Sequence, residues 1–211
     1  MKLYYFESYG RAEIIRFLAA HAKLPLEDVY VKKDETFAAL KESGKLEFGQ
    51  VPMLETADGK HLIQSWSVLR YLGRQHGYYP DDAEVAYKID STIDAVEDFL
   101  QSNNKWRFEA DETRKAAAKE TFLKTFLPKW IDAIEKRIAS NSTQKFIVGD
   151  KITIADFALA AVTFNILLNE LNPVFAEIQE VLKDSAVIDT YVASLQAELH
   201  DYLETRPKRA G

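Results

Sequence analysis

The sequence predicts two structural units in series: a small α/β unit with one mixed sheet in β-α-β-α-β-β-α order, then an all-α helical bundle. Three observations predict this. The first part of the chain alternates short β-type runs with amphipathic stretches of helical period. Gly77-Tyr78-Tyr79-Pro80-Asp81-Asp82 then places Gly, Pro and acidic residues after a helix end, the composition of a linker. From Ala83 onward helical periodicity dominates. The expected division is residues 1–79 and 80–211.

Residues 3–6 are a short apolar run of buried-strand type. Residues 11–24 follow Ser8-Tyr9-Gly10 and carry Ile14, Ile15, Leu18, Ala19 and Ala22 at helical spacing, with Pro25 as the stop. Residues 29–31 read as a second strand, and 36–41 as a short helix before the Gly44 and Gly49 breaks. Residues 53–55 and 61–63, joined through Asp58-Gly59, form a hairpin pattern. Ser65 stands where it can cap a helix over 66–76 whose core face is Val68, Leu69 and Leu72.

Helical segments are expected at 83–103, 111–141, 153–171, 175–182 and 185–204. Pro128 has no N–H to give, which predicts a kink or break in the second of these. Thr153-Ile154-Ala155-Asp156 has capping-box spacing with Asp in place of Glu. The Thr153 hydroxyl is expected to take the Asp156 N–H while the carboxylate returns to the Thr153 N–H.

A chain of 211 residues can bury a proper core in one large or two small domains, and 47% apolar with 28% charged residues is ordinary globular composition. The net charge of −6 argues against a nucleic-acid backbone as partner. With no cysteine, disulfides, Cys-ligated zinc, iron–sulfur clusters and a cysteine nucleophile are excluded. Any thiol chemistry must come from a substrate. The apolar start, Met1 to Phe6, breaks at Glu7 and is too short for a signal peptide or membrane span, so a cytoplasmic protein is expected.

Val51-Pro52, after Gly49-Gln50 and ahead of Met53-Leu54, reads as a strand entered through a fixed turn. A cis bond there turns the Val51 N–H and C=O away from the sheet, towards a peptide-like ligand whose charged end Gln64-Ser65 can receive; the pattern itself leaves cis or trans open.

Tyr5-Phe6, Gly10-Arg11-Ala12-Glu13, Gly49-Gln50-Val51-Pro52, Gln64-Ser65 and Gly149-Asp150 leading to Thr153-Ile154-Ala155-Asp156 stand in the order found in cytosolic glutathione transferases. Over its full length the chain resembles that family. It is most similar to the sigma class, whose members open with Tyr-Phe and a Gly-Arg-Ala-Glu segment. Where members commonly carry Ser-x-Ala-Ile, this chain has Ser65-Trp66-Ser67-Val68. The resemblance implies a thioredoxin-like glutathione-binding domain, an all-helical domain lining an electrophile pocket, and a homodimer. It implies conjugation of reduced glutathione to apolar electrophiles. A non-catalytic ligand carrier, a crystallin-like structural protein, and a glutathione-dependent peroxidase or prostaglandin isomerase are the alternatives on the same fold.

The resemblance also assigns residues. Tyr5 is the expected catalytic group: a phenol aimed at the sulfur stabilises the thiolate, and only the thiolate is nucleophilic. Tyr4 is the competing hydroxyl on the opposite strand face. Arg11 either stabilises the thiolate or is a solvated charge at a helix start. Gln64 and Ser65 are expected at the γ-glutamyl end, Gln50, Val51 and Pro52 along the tripeptide backbone, and Phe37 and Lys41 at the glycyl end. Asp98 is expected to reach the γ-glutamyl amine of the neighbouring subunit. Asp94, Glu97 and Asp98 share one helix face, where weak Mg²⁺ or Ca²⁺ binding and a plain solvated face are both open; no resident metal is expected. Tyr9, Trp106 and Phe108 are candidates for the electrophile pocket, against the simpler reading that such aromatics are core.

Overall fold

The computed structural model describes residues 1–183 and 185–210. Its sheet has four strands, β1 (Lys2–Tyr5), β2 (Glu27–Tyr30), β3 (Met53–Glu55) and β4 (His61–Ile63), in the spatial order β2-β1-β3-β4. β1 runs parallel to β2 and antiparallel to β3, and β4 pairs antiparallel with β3. With α1 (Glu13–His21), α2 (Glu35–Glu42) and α3 (Ser65–His76) this is the thioredoxin-like arrangement the sequence leads one to expect. In β1 the side chains alternate, so Leu3 and Tyr5 face the core while the Tyr4 hydroxyl donates to Glu55 on the other side at 3.3 Å.

Helix α1 follows a 3₁₀ turn, Gly10–Ala12, and ends earlier than its pattern does. Ala22 N–H closes the last turn on the Leu18 carbonyl at 2.9 Å, and Lys23 swings to φ 54° ahead of Pro25. The start of α3 also departs from expectation. Gln64, not Ser65, occupies the N-cap position, at φ 68°, and no side chain caps the helix. Ser65 is the first helical residue, which leaves its hydroxyl free of capping duty.

The second unit comprises α4 (Ala83–Arg107), α5 (Glu112–Thr121), α6 (Leu127–Ala139), α7 (Ile154–Val162), α8 (Phe175–Leu182) and α9 (Ala186–Thr205). Asp82 opens α4 by accepting the N–H groups of Glu84 and Val85. Pro128 does not break its helix. A π-turn at Phe122–Phe126 carries α5 directly into α6, and Leu127 N–H reaches back five residues to the Phe122 carbonyl. Widening the turn just ahead of the proline absorbs the missing donor and the ring's bulk. A second π-turn, Thr163–Leu167, ends the α7 rod four residues short of 171.

The two units pack through α1, which contacts α3, α7 and α9. Gly73 on α3 meets the start of α7 so closely that a methyl there would collide with the Ile154 side chain. The Ile154 N–H donates to the Tyr78 carbonyl at 3.1 Å. His21, Tyr78 and Phe157 bring three rings together across the same seam, with centroids 5.2–5.6 Å apart.

Candidate active site

Tyr5 ends β1, and the chain turns back over it through Gly10, whose φ of +43° suits glycine. A side chain at position 10 would land on the Tyr5 hydroxyl. That close approach lets the Arg11 N–H donate to the phenol oxygen at 3.0 Å. Tyr5 is 9% exposed, and no described residue accepts its hydroxyl proton. The phenol therefore receives one hydrogen bond and keeps its own O–H to give.

The Arg11 side chain runs the other way, to α4. Its guanidinium makes a two-pronged ion pair with Glu97, both contacts at 2.7 Å. Trp66 Nε1–H donates to the same carboxylate at 2.8 Å and Gln101 at 3.1 Å. Burial pushes Glu97 up, but the hydrogen bonds from Arg11, Trp66 and Gln101 outweigh it and hold the carboxyl at about 2. Asp94, Glu97 and Asp98 share one helix face in the sequence, but the structure separates Glu97 from the other two. Glu97 turns into the site while Asp94 and Asp98 remain exposed, so the three carboxylates do not assemble. Among the described residues no cluster of three His, Asp or Glu side chains is arranged to hold a metal.

Two cavities meet at this point. One, of about 290 Å³, is lined by Gln50, Val51, Pro52, Ile63, Gln64 and Glu97, together with Arg11, Ser65 and Trp66. The other, of about 500 Å³, shares Arg11, Ser65 and Trp66 and extends between the units. It takes Tyr5, Phe6, Ser8 and Lys33 from the first unit and Val96, Leu100, Asn103, Phe108, Ala158, Val162 and Ile166 from the second. Polar groups concentrate in the smaller cavity and apolar walls in the larger.

The Val51–Pro52 bond is cis. β3 begins only at Met53, and the Val51 backbone makes no hydrogen bond to another described residue. Gln64 and Gln50 face each other across the small cavity, their amides 3.5 Å apart. The structure thus brings Gln50, Val51, Pro52, Gln64 and Ser65 together beside Tyr5 and Arg11. Phe37 and Lys41 stand further out on α2. Phe37 packs edge-on against Phe6 with centroids 5.6 Å apart, and Lys41 Nζ lies 4.3 Å over the Phe37 ring.

Two pocket candidates are elsewhere. Tyr9 is buried under the C-terminal tail, donating to the Pro207 carbonyl at 2.8 Å and accepting from Arg209 N–H at 3.2 Å. Trp106 points into the helical core against Phe122 and does not line either cavity. Helical spacing places Trp106 in the interior, and the C-terminal tail covers Tyr9. Phe108, 77% exposed, stands at the lip of the larger cavity. The residue that sequence reading mis-assigned, Glu97, left a signal: it lies on the stripe of Ile93, Val96 and Leu100, which faces inward. A carboxylate on an apolar stripe needs a partner.

A thioredoxin-like domain is joined here to a helical domain, with a polar cleft opening into a more apolar one. Comparison with known proteins gives the family. Residues 1–74 match the glutathione S-transferase N-terminal domain and residues 97–208 the C-terminal domain. Glutathione S-transferase P 1 of Xenopus laevis is 37% identical over 161 residues, 74% of this chain and 72% of that one. Glutathione S-transferase A2 of Bos taurus is 31% identical over 175 residues, 82% and 75% of the two. The solved prostaglandin synthase D of Nilaparvata lugens superposes with a TM-score of 0.77 at 28% identity, covering 98% of each chain. The chain belongs to the glutathione S-transferase family of enzymes. The names of these relatives span several classes, so the finer class does not follow from them.

Proposed function

We propose that the protein conjugates glutathione to apolar electrophiles, with Tyr5 stabilising the thiolate. One observation carries this reading: the Tyr5 phenol, fixed by the Arg11 N–H, keeps an unspent O–H in the apolar cavity beside Arg11, which lines both cavities. Free cysteine thiols have a pKa near ~8.5 and are mostly protonated at neutral pH. A hydrogen bond to the sulfur favours the anion and lowers that pKa. The pair formed with Glu97 tempers Arg11's charge, so its part is to place the N–H that orients Tyr5 and to set a modest positive field.

Glutathione lies in the smaller cavity. Its cysteinyl backbone pairs with the open N–H and C=O of Val51, beside Gln50 and Pro52. Its γ-glutamyl end rests on Gln64 and on Ser65, whose hydroxyl and N–H stand at the start of α3, where the helix dipole favours a carboxylate. Phe37 and Lys41 serve the glycyl end, Lys41 as a cation anchored over the ring. Residues 1–79 make the glutathione domain and residues 80–211 the electrophile domain. The protein works as a cytoplasmic homodimer of sigma-like type, in which the exposed Asp98 reaches the partner's glutathione. Phe48, 59% exposed two residues before Gln50, is an apolar surface for that partner to cover. No helix among the described residues is long and apolar enough to cross a membrane.

The test is Tyr5→Phe. Glutathione affinity should hold while the pKa of bound glutathione, read from thiolate absorbance, rises, and turnover of chlorodinitrobenzene falls by roughly 10–1000-fold, the range for losing one charge-stabilising donor. Unchanged turnover would remove Tyr5 from the mechanism. Glutathione binding without turnover in the wild type would favour the ligand-carrier reading.

A further inference from the structure

The charges that line the larger cavity are all of one sign. Arg11, Lys33 and Arg107 line it, and among the described residues no Asp or Glu does, although the chain carries 33 acidic side chains against 27 basic ones. Two of these cations are engaged. Arg11 holds Glu97, which lines the smaller cavity and not this one, and Arg107, at the end of α4, also has a partner. Lys33 differs. It stands exposed between β2 and α2, and its ammonium makes no hydrogen bond or ion pair with a described residue. Asp34, its neighbour in sequence, spends its carboxylate on the Thr36 N–H at 2.9 Å and the Thr36 hydroxyl at 2.7 Å. What the Lys33 ammonium meets is the Phe6 ring, 5.2 Å from the centroid, and Phe6 itself lines the cavity. The ring face attracts the cation and holds it at that wall. Solvated lysines are ordinary on a protein surface. One without an anionic partner, set on the wall of an apolar cavity, creates a positive potential there that the low-dielectric walls focus.

We propose that Lys33 is a specificity-determining residue that pairs with a carboxylate on the electrophile, so that the larger cavity selects apolar electrophiles carrying an anionic group. This rests on the transferase reading above and names the substrate class of the same pocket. Ring contacts fix where on the substrate the carboxylate belongs. Phe6 touches both ends of the interval: its centroid lies 5.2 Å from the Lys33 ammonium and 5.5 Å from the centroid of Tyr5. The ammonium is thus one ring removed from the Tyr5 phenol, a separation that a benzene ring or a short alkyl chain can span. The reacting carbon meets the thiolate beside Tyr5, and the carboxylate is carried on the far side of that ring or chain. Val96 and Leu100 of α4, with Ala158 and Val162 of α7, supply apolar walls for the body of the substrate.

Chlorodinitrobenzoate, with its carboxylate para to the chlorine, and the methyl ester of the same acid form a substrate pair that differs in this charge. Both react by aromatic substitution. The thiolate forms a C–S bond at the chlorine-bearing carbon, the ring and its nitro groups take up the incoming charge, and chloride leaves with the C–Cl electron pair. The quantity to measure is the ratio of kcat/KM for the acid over the ester, in wild type, Lys33→Met and Lys33→Arg, at low ionic strength and again at about 0.5 M salt, where exposed charges are screened. Intrinsic reactivity cancels when the ratios of two proteins are compared. The wild-type ratio is expected to be about fivefold above that of Lys33→Met, the upper end for a charge pair that solvent still reaches. Lys33→Arg should stay close to wild type, and the gap should shrink at high salt. Equal ratios in wild type and Lys33→Met overturn the proposal. So does a raised KM for glutathione in Lys33→Met with both substrates slowed alike, which places Lys33 on the glycyl carboxylate of glutathione instead. If wild type turns over neither this pair nor chlorodinitrobenzene, the transferase reading fails first and takes this one with it. Turnover of chlorodinitrobenzene with equal ratios for the pair sinks the Lys33 assignment alone.

Discussion

At the scale of single residues, the site is built from side chains whose partners decide their roles. Tyr4 and Tyr5 carry the same hydroxyl on adjacent positions, yet strand alternation sends one to Glu55 and the other to the turn at Gly10. That much is legible in the sequence, because a period of two needs no tertiary knowledge. Glu97 is the contrary case. Its carboxylate takes Gln101 from one turn along its own helix, but Arg11 and Trp66 come from two other elements, and only the assembled fold brings those within reach. Glu97→Gln should lower stability by about 1–2 kcal/mol at pH 7, the worth of hydrogen bonds to a charged group that stays partly solvated. The pH dependence follows from a carboxyl held at about 2 in the fold and near ~4.3 when unfolded. A depressed pKa stabilises the fold above the unfolded value, and that stabilisation is lost as pH falls through the folded one. The gap between wild type and variant in urea unfolding should be full above about pH 5 and shrink steadily between about 4.3 and 2. A gap constant down to pH 2 would mean that Glu97 is not ionised in the pair.

Among elements, the ones with strong period and clear punctuation are readable in advance. The order of strands and helices follows from Pro25, Asp58-Gly59 and the linker, while Pro128 shows where such reading stops. A proline in a helical pattern announces a missing donor, but whether the helix breaks or widens depends on what packs around Phe122 and Phe126, which stack on each other within the turn. The positive φ of Gln64 is equally hidden, since no local rule singles out a glutamine for it. Helix α7 is the clearest success: Thr153 and Asp156 form the reciprocal box read from their spacing. The structure adds what spacing does not carry. The buried Asp156 carboxylate accepts the Thr153 N–H at 2.8 Å, the Thr153 hydroxyl at 2.9 Å, the Ile147 N–H at 2.9 Å and the Tyr191 hydroxyl at 2.9 Å. It thus ties the incoming loop and α9 to the start of α7. Thr153→Ala should cost about 1 kcal/mol, as an ordinary cap does. Asp156→Ala strands buried donors on three segments and should cost more than about 3 kcal/mol. Denaturant unfolding of the two variants gives the comparison, and equal penalties would reduce Asp156 to a simple cap.

For the whole molecule, the question is what holds a cleft between two units in register. The apolar seam at Gly73, Ile154 and Phe157 does part of this, and a buried charge cluster does the rest. Glu13, fully buried on α1, takes Arg16 at 2.9 Å, the Tyr202 hydroxyl of α9 at 3.0 Å and Arg206 at 2.8 Å. Arg206 also donates to Asn165 at 2.7 Å and to the Phe164 carbonyl at 3.0 Å, and its guanidinium lies 4.3 Å over the Tyr9 ring. Beyond it the tail continues across the seam, with the Arg209 carbonyl on Asn169 and its guanidinium on Tyr30 of β2. No window of sequence pairs Glu13 with a residue 193 positions away; the cluster exists only because both units present a face to it. One cation here links the first unit, the wall of the large cavity and the C-terminal tail. Removing it leaves a fully buried carboxylate short of a partner, so Arg206→Leu should lower stability by about 3 kcal/mol. It should also lower activity towards large electrophiles more than towards small ones, because Asn165 loses its tether. Arg206→Lys separates charge from geometry. An ammonium restores the positive charge but does not span Glu13, Asn165 and the Phe164 carbonyl in one plane while stacking on Tyr9. Lysine should therefore recover less than half of the lost stability in urea titrations. Recovery to the wild-type midpoint would show that charge alone clamps the two units, and that the planar fork contributes nothing.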